Sequence, residues 1–189
     1  MDFASNDLTG KLLIAMPGMS DDRFAQAVIY VCAHSDDGAM GLVINKPADE
    51  IKFSDLLEQL DIPIGDAMRD IRIHIGGPVE HGRGFVLHSD DYESETGTME
   101  IAQGKSMTAT VDVLRDLAAG GGPLSSFVAL GYSGWSPGQL EYELSENAWL
   151  TCDARDDIIF GRDPSVKWQT ALSVLGIDPL TLSAAAGHA

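Results

Sequence analysis

Short apolar runs separated by Gly, Pro and Asp predict a chain built largely from β-strands. Residues 12–16 form one such run, and residues 28–33 form a second that is apolar on both faces. Turn residues at 35–38 then precede an alternating run at 40–44. This pattern predicts a β-hairpin whose first strand lies in the interior of a sheet.

Further strands are predicted along the rest of the chain. Their apolar runs fall at residues 71–75, 85–88, 99–101, 107–109, 127–130, 149–152 and 158–160. Residues 90–98 are rich in Asp, Glu and Ser, and they predict a surface excursion. Because these strands do not alternate regularly with helices, the pattern favours an α+β domain with a mixed or antiparallel sheet.

Helical spacing of apolar residues predicts two helices in the first two thirds of the chain. One covers residues 53–60 with Ser54 as its cap, and the other covers 111–117 with Thr110 as its cap. Ser20 is the predicted cap of a brief helical turn at 21–24.

Two more helices are predicted after residue 130. Ser136 and Gln139 have the spacing of a capping box, with Pro137 at the first helical position. Asp163 opens a last helix that Gly176 closes. The apolar face of this last helix consists of Trp168, Ala171, Leu172 and Leu175.

Neither a repeat nor a linker divides the sequence, so residues 1–189 are predicted to form a single domain. The tail after about residue 182 is expected to fray. Cys32 and Cys152 each lie in an apolar run without a CxxC spacing, and both are predicted to be reduced, buried thiols.

The net charge of the chain limits the classes of partner that the protein is expected to bind. Twelve Lys and Arg residues against 29 Asp and Glu residues give a net charge of −17. Such a surface repels phosphate backbones and anionic lipid, so direct nucleic-acid binding is disfavoured. An acidic N-terminus and the short apolar runs favour a cytoplasmic protein without a membrane span.

Five short motifs occur in a fixed order and together resemble the AlgH/YqgE family. They lie at residues 16–19, 41–47, 76–79, 131–135 and 138–141. The resemblance implies a bifurcated, largely antiparallel sheet, part of it closed into a small barrel, surrounded by helices. It carries over no catalytic residue, cofactor or metal, and some members of the family are described as transcriptional regulators.

The motif at 131–135 is the first place to look for chemistry. A strand, a Gly-rich turn and a helix are predicted there, which is the context of a serine nucleophile elbow. The spacing differs, because Trp135 stands where the elbow requires glycine. The alternative is that Gly131 and Gly134 permit a tight backbone path while Trp135 packs in the core.

A second candidate is a small anion pocket made by Lys46 and the glycines at 76–77. No nucleotide-binding fingerprint accompanies it. His74, His81 and His88 recur at intervals of seven residues across a Gly/Pro turn, a spacing that does not predict a metal site.

The sequence therefore predicts a binding or regulatory domain, without cofactor or metal, that acts through an unknown protein or small-molecule partner. Its candidate groove consists of Asn45, Lys46, Pro47, Gly76, Gly77, Pro78, Gly131, Tyr132, Ser133, Gly134 and Trp135. One alternative is a small-molecule hydrolase or other enzyme that uses Ser133 or a nearby histidine. The other, which the charge opposes, is a regulator that contacts DNA directly.

Overall fold

The computed structural model describes residues 7–95, 97–102, 104–178 and 180 of the 189-residue chain. Ten strands are formed by these residues: β1 (Lys11–Ala15), β2 (Val28–Ser35), β3 (Gly38–Val43), β4 (Pro47–Lys52), β5 (Arg72–Ile75), β6 (Val79–Ser89), β7 (Thr98–Ala102), β8 (Lys105–Thr108), β9 (Ser126–Trp135) and β10 (Trp149–Asp153). The α-helices are α1 (Phe53–Gln59), α2 (Val111–Ala118), α3 (Gln139–Ser145), α4 (Asp156–Ile159) and α5 (Lys167–Val174). Two short 3₁₀ helices cover Asp22–Phe24 and Pro164–Val166.

The strands form a curled half-barrel sheet in the order β10-β1-β2-β3-β9-β6-β8-β7. All pairs along this path are antiparallel. A branch leaves the path at β9, because β5 pairs with β9 in parallel and β4 pairs with β5. The predicted α+β class and the mixed, largely antiparallel, bifurcated sheet are confirmed.

The branch depends on a close crossing of two backbones. The first half of β9 pairs with β5 through residues 128–130, and the second half pairs with β3 through residues 133–135. Gly131, with φ of +72°, lies between the two halves. A Cβ on Gly76 would lie 2.4 Å from the Gly131 oxygen, and one on Gly77 would lie 2.1 Å from the Tyr132 carbonyl carbon. Glycine is therefore required at the crossing.

Alternate residues of β9 contribute to two separate parts of the core, one on each face of the sheet. Phe127 and Ala129 pack in a cluster with residues of α4 and α5. Val128 packs on the other side with residues of α1 and α2. A third cluster, around Trp135 and Trp149, lies against α3.

The sequence predicted most of the strands, and the hairpin of β2 and β3 is confirmed. β2 lies between β1 and β3, as its two apolar faces predicted. Cys32 and Cys152 are buried free thiols, and burial raises the pKa of the Cys32 thiol to about 12.

Two element predictions were wrong. Residues 158–160 belong to the helix α4 and its end rather than to a strand, since three apolar residues do not distinguish the two. Residues 131–135 continue β9 instead of forming a turn. The glycines there serve the close crossing, and glycine alone does not show whether a strand ends or only bends.

The predicted capping residues also need correction. Asp21, not Ser20, caps the first 3₁₀ helix by accepting a hydrogen bond from the Arg23 amide at 3.0 Å. α1 begins at Phe53, so Ser54 lies inside the helix. α3 begins at Gln139, after a left-handed Gly138, so Pro137 precedes it.

The remaining helix predictions are partly correct. Thr110 is the N-cap residue of α2, but its side chain makes no capping hydrogen bond. Val111 is 39% exposed, whereas Val113 is buried, and Leu175 beyond α5 is also 39% exposed. The predicted fraying after residue 182 lies outside the described residues.

Candidate functional site

The residues predicted to share one groove do not line a single cavity: five of them line one cavity, three line another and three line neither. The first, here called the lysine cavity, has a volume of about 520 Å³. It is lined by Arg23, Val43, Asn45, Lys46, Pro47, Ile75, Gly77, Pro78 and His81. The second, here called the aromatic cavity, has a volume of about 780 Å³, and Tyr132, Gly134 and Trp135 line part of it. Gly76, Gly131 and Ser133 line neither cavity.

The segment between the two cavities is an irregular stretch of β6. Val79 pairs with Tyr132 and Gly84 pairs with Leu130, so residues 80–83 bulge away from β9. His81 of this bulge lines the lysine cavity, whereas Arg83 lines the aromatic cavity. Bulges of this kind direct side chains towards sites next to a sheet.

Lys46 is the central charge of the lysine cavity. It is partly buried, and its ammonium donates a hydrogen bond to the Arg23 carbonyl. Burial lowers the pKa of Lys46, and the nearby carboxylate of Asp21 opposes that effect. The amine is thus held at the cavity wall by one backbone carbonyl, which leaves donor capacity on the ammonium.

Arg23 lies beside Lys46 and is fixed by the short 3₁₀ helix. Its guanidinium donates to both carboxylate oxygens of Asp21, at 3.0 and 2.8 Å. Arg23 and Lys46 both line the cavity, and no Asp or Glu is among its described lining residues, although the chain as a whole is strongly acidic. His81 also lines this cavity.

Asn45 stabilises the backbone beside the lysine cavity through side-chain hydrogen bonds. Its side-chain oxygen accepts from the Val28 amide at 2.9 Å, and its amide nitrogen donates to the Gln26 carbonyl at 2.8 Å. Gln26 has φ of +55°, a conformation that non-glycine residues rarely adopt. Asn45 thereby holds the loop that follows Arg23.

Ser133 is buried within β9 and is 0% exposed. Its hydroxyl donates to the Gly76 carbonyl at 3.1 Å, and the same carbonyl accepts from the Val43 amide at 2.9 Å. A nucleophile elbow places its serine on an exposed strand-to-helix turn. Ser133 instead supports the crossing of the two backbones.

Trp135 is only 7% exposed and belongs mainly to the core. Its indole nitrogen and that of Trp149 donate to the same oxygen of Glu143, at 3.2 and 2.9 Å. The other carboxylate oxygen accepts from the Gln139 side chain at 2.9 Å. The packing interpretation of Trp135 thus has a direct structural basis.

Aromatic rings and methionine side chains line the aromatic cavity around Tyr132. The Tyr132 ring meets Phe85 edge-to-face, with centroids 5.9 Å apart. Arg83 lies over the Phe85 ring at 5.1 Å. Met40 and Met99 also line this cavity, and Met99 is 45% exposed. Flexible thioethers and aromatic rings form surfaces that adapt to apolar groups.

The three histidines at seven-residue intervals lie in different surroundings. His81 is exposed at the lysine cavity, and His74 is buried against Phe127. His88 is also buried, with Nε2 2.8 Å from the Thr108 hydroxyl and Nδ1 2.7 Å from the Ser89 carbonyl. Among the described residues, no group of three or more His, Cys, Asp or Glu side chains is arranged to hold a metal ion.

The chain is similar to known proteins in both sequence and fold. A family model described as AlgH-like matches residues 12–180. The chain belongs to the AlgH-like family. Its relatives include a UPF0301 protein of Cereibacter sphaeroides, 57% identical over 183 residues that cover 97% of this chain and all of the relative. A UPF0301 protein of Ruegeria pomeroyi is 56% identical over 184 residues, again 97% of this chain and all of the relative.

Solved structures agree with this AlgH-like assignment. The solution structure of the AlgH protein from Pseudomonas aeruginosa superposes with a TM-score of 0.80 at 43% identity, covering 95% of each chain. A crystal structure of a Corynebacterium diphtheriae protein has a TM-score of 0.72 at 18% identity, covering 93% of this chain and 91% of that one. The second likeness concerns the fold alone. Among the described residues, no helix is long and apolar enough to cross a membrane.

Sequence reasoning missed four residues that line the lysine cavity, the apolar Val43 and Ile75 and the basic Arg23 and His81. Arg23 lies 22 positions before Asn45, and the β2–β3 hairpin brings its segment back beside the strand end. His81 reaches the cavity only because the bulge in β6 turns it there. The only sequence signal for Arg23 was the scarcity of basic residues in this acidic chain.

Proposed function

We propose that this AlgH-like protein is a non-catalytic binding or regulatory domain that engages its partner at the lysine cavity. The partner is a small molecule, or a protein segment, that places a negatively charged or hydrogen-bond-accepting group beside Lys46. The observation that carries the proposal is the collection of Arg23, Lys46 and His81 around one cavity in a chain of net charge −17.

The size and lining of the cavity support this proposal. Its volume of about 520 Å³ is within the range of small-ligand sites, roughly 300–1,000 Å³. Val43, Pro47, Ile75 and Pro78 supply apolar walls. An apolar cavity with a few converging polar groups is the usual form of a ligand site.

The surroundings of Lys46 favour recognition of an acceptor group. Its amine is partly withdrawn from water, so an added anion would meet less competition from solvent than at an exposed lysine. The Asn45 side chain and the Asp21–Arg23 ion pair hold the wall in place before any ligand arrives. Such preorganisation reduces the entropic cost of binding.

The serine-based alternative receives little support from this arrangement. The Ser133 hydroxyl is buried and already donates to a backbone carbonyl, so a substrate carbonyl has no access to it without movement of β9. Direct DNA contact is opposed by the net charge of −17. Both considerations leave binding at the lysine cavity as the function best supported.

A differential capture experiment tests the proposal. Immobilised wild-type protein and a Lys46→Gln/His81→Gln variant are incubated with native lysate, and the retained proteins and small molecules are identified by mass spectrometry. We expect at least one ligand to be retained about tenfold less by the variant, since charge-assisted hydrogen bonds are lost.

Arg115→Gln is the matched control, because it removes a positive charge from the exposed face of α2. It should retain the same ligands as the wild type. Circular dichroism must show that all three proteins are folded. Equal retention by the wild type and the Lys46→Gln/His81→Gln variant would refute binding at the lysine cavity.

A further inference from the structure

A third cavity, here called the arginine cavity, lies at the opposite end of β5 from the lysine cavity. It has a volume of about 890 Å³ and lies between β4, the start of β9 and the end of α4. Four basic residues and two acidic residues line it. In the whole chain, acidic residues outnumber basic ones by 29 to 12. The local charge is thus the reverse of that of the molecule.

Two of its basic residues lie opposite each other on neighbouring strands. Lys52 of β4 and Arg72 of β5 are register partners in an antiparallel pair. Like charges in this position repel and destabilise a sheet. Arg72 is partly neutralised by Asp49 at 3.1 Å. The Asp55 carboxylate accepts from the Lys52 backbone amide at 3.2 Å, but among the described residues the Lys52 ammonium makes no ion pair within 4.0 Å. A fold that keeps this pair gains from an anion between them.

Arg162 adds a third positive charge to the lining of the arginine cavity, with Lys52 and Arg72. Its carbonyl lies 3.5 Å from the Arg72 guanidinium, which fixes the loop after α4 beside β5. The Arg162 side chain is exposed, and within the described part of the chain it makes no ion pair. Arginine side chains match the oxygens of phosphate and carboxylate groups in geometry as well as in charge.

A buried histidine also lines this region. His74 lines the arginine cavity and is 6% exposed. Its Nδ1 has no well-aligned hydrogen-bond partner among the described residues, although backbone groups of Val128 and Arg72 interact with the ring and oppose the lowering of its pKa. Its ring stacks on Phe127 with centroids 4.1 Å apart. Buried polar atoms of this kind are uncommon and call for a physical explanation.

The buried ammonium of Lys167 lies next to Phe127, which lines the arginine cavity. Lys167 is 2% exposed, 5.1 Å from the Phe127 ring centroid, and it donates to the carbonyls of Ile44 and Ile159 at 2.9 and 2.7 Å. Burial and, to a smaller extent, the Lys167 charge lower the pKa of His74. Burial and, to a smaller extent, the Arg72 charge lower the pKa of Lys167 to about 8. A bound anion would relieve this concentration of positive charge.

We propose that the arginine cavity binds a small organic phosphate, with its phosphate group between Lys52, Arg72 and Arg162 and its apolar part against Phe127. Phosphate is favoured over carboxylate because the four basic and two acidic side chains of the lining leave two positive charges in excess, which match a ligand charge near −2 better than −1. This site is independent of the lysine cavity.

An NMR titration of the whole chain tests the proposal with three related probes: phenyl phosphate, benzoate and phenol. Phenyl phosphate should shift the amide signals of residues 72–74 and 160–162 and bind more tightly than benzoate, while phenol should have little effect. Lys52→Gln and Arg162→Gln should each weaken phenyl phosphate binding about tenfold. Arg115→Gln, which removes an exposed charge on α2, should leave it unchanged.

The outcomes separate this inference from the proposed function. Absence of localised shifts up to about 10 mM phenyl phosphate would overturn it, as would equal affinities in wild type and both variants. Benzoate binding as tightly as phenyl phosphate would overturn the assignment to phosphates. Shifts confined to Lys46, Gly77 and His81 would also refute this site, while supporting anion binding at the lysine cavity.

Discussion

Single motif residues differ in whether their polar atoms are already used within the protein. Asn45 bonds the Val28 amide and the Gln26 carbonyl, and the Ser133 hydroxyl bonds the Gly76 carbonyl. The Trp135 indole nitrogen likewise donates a hydrogen bond to Glu143. Lys46 keeps donor capacity beside a cavity. Residues of the first kind maintain the site, and Lys46 is suited to recognition.

The glycine at the backbone crossing provides a prediction at this scale. Gly77→Ala would place a Cβ 2.1 Å from the Tyr132 carbonyl carbon, and backbone atoms on both sides would have to shift. We expect the free energy of unfolding to fall by roughly 2–4 kcal/mol, a cost typical of overpacking with backbone displacement. Urea unfolding monitored by circular dichroism measures the change.

Gly82→Ala is the control for this prediction. Nothing lies within 4 Å of a Cβ built on Gly82, so the substitution should change the free energy of unfolding by less than about 1 kcal/mol. If Gly77→Ala were as stable as Gly82→Ala, the close crossing of β9 would not be as the structure shows it.

At the scale of elements, β9 shows which features a sequence reveals. The apolar residues 127–130 predicted a strand, because β-branched and aromatic residues favour a half-buried pleated surface. The change of partner from β5 to β3 at Gly131 left no signal, since glycine marks a turn, a bulge or a close approach equally well. Local patterns therefore predicted the strand but not its length.

The candidate site was predictable only in part, for the same reason. The motifs at 45–47 and 77–78 meet in the lysine cavity because β5 returns beside the end of β3. The motif at 132–135 points to a different cavity because the β6 bulge intervenes. Pairing between distant strands decides these distances, and the family resemblance rather than periodicity indicated that the motifs belong together.

The burial of His74 in β5 gives a prediction for pH. Desolvation, with help from the Lys167 charge, lowers the pKa of His74 to about 4 from its ordinary 6.5. As pH falls below 6.5, the unfolded chain takes up a proton that folded His74 resists, so stability decreases until about pH 4. Between pH 7 and 5 this amounts to about 2 kcal/mol.

His74→Phe retains the ring stacking on Phe127 and removes the titration. Urea unfolding at pH 7 and pH 5 should show a smaller loss of stability in His74→Phe than in the wild type. His81→Phe, which replaces an exposed histidine, is measured in parallel as the control. An equal pH dependence in all three proteins would rule out a buried neutral His74.

At the scale of the whole molecule, the distribution of charge favours some classes of partner over others. The acidic surface repels anions at a distance, while basic residues gather at two cavities on either end of β5. Repulsion by the acidic surface disfavours binding of extended polyanions. Small or specifically shaped anions can still bind at the basic residues of the two cavities. This distribution favours ligand or protein recognition over direct contact with DNA.

The central claim, binding without turnover at the lysine cavity, is tested most directly with a ligand obtained by differential capture. Calorimetry would measure its affinity for wild type, Lys46→Gln and Ser133→Ala, and mass spectrometry would examine the ligand after incubation. We predict stoichiometric binding of a ligand that stays chemically unchanged, with affinity about tenfold weaker in Lys46→Gln and retained in folded Ser133→Ala. Conversion of the ligand by the wild type, or full affinity in Lys46→Gln, would contradict the account.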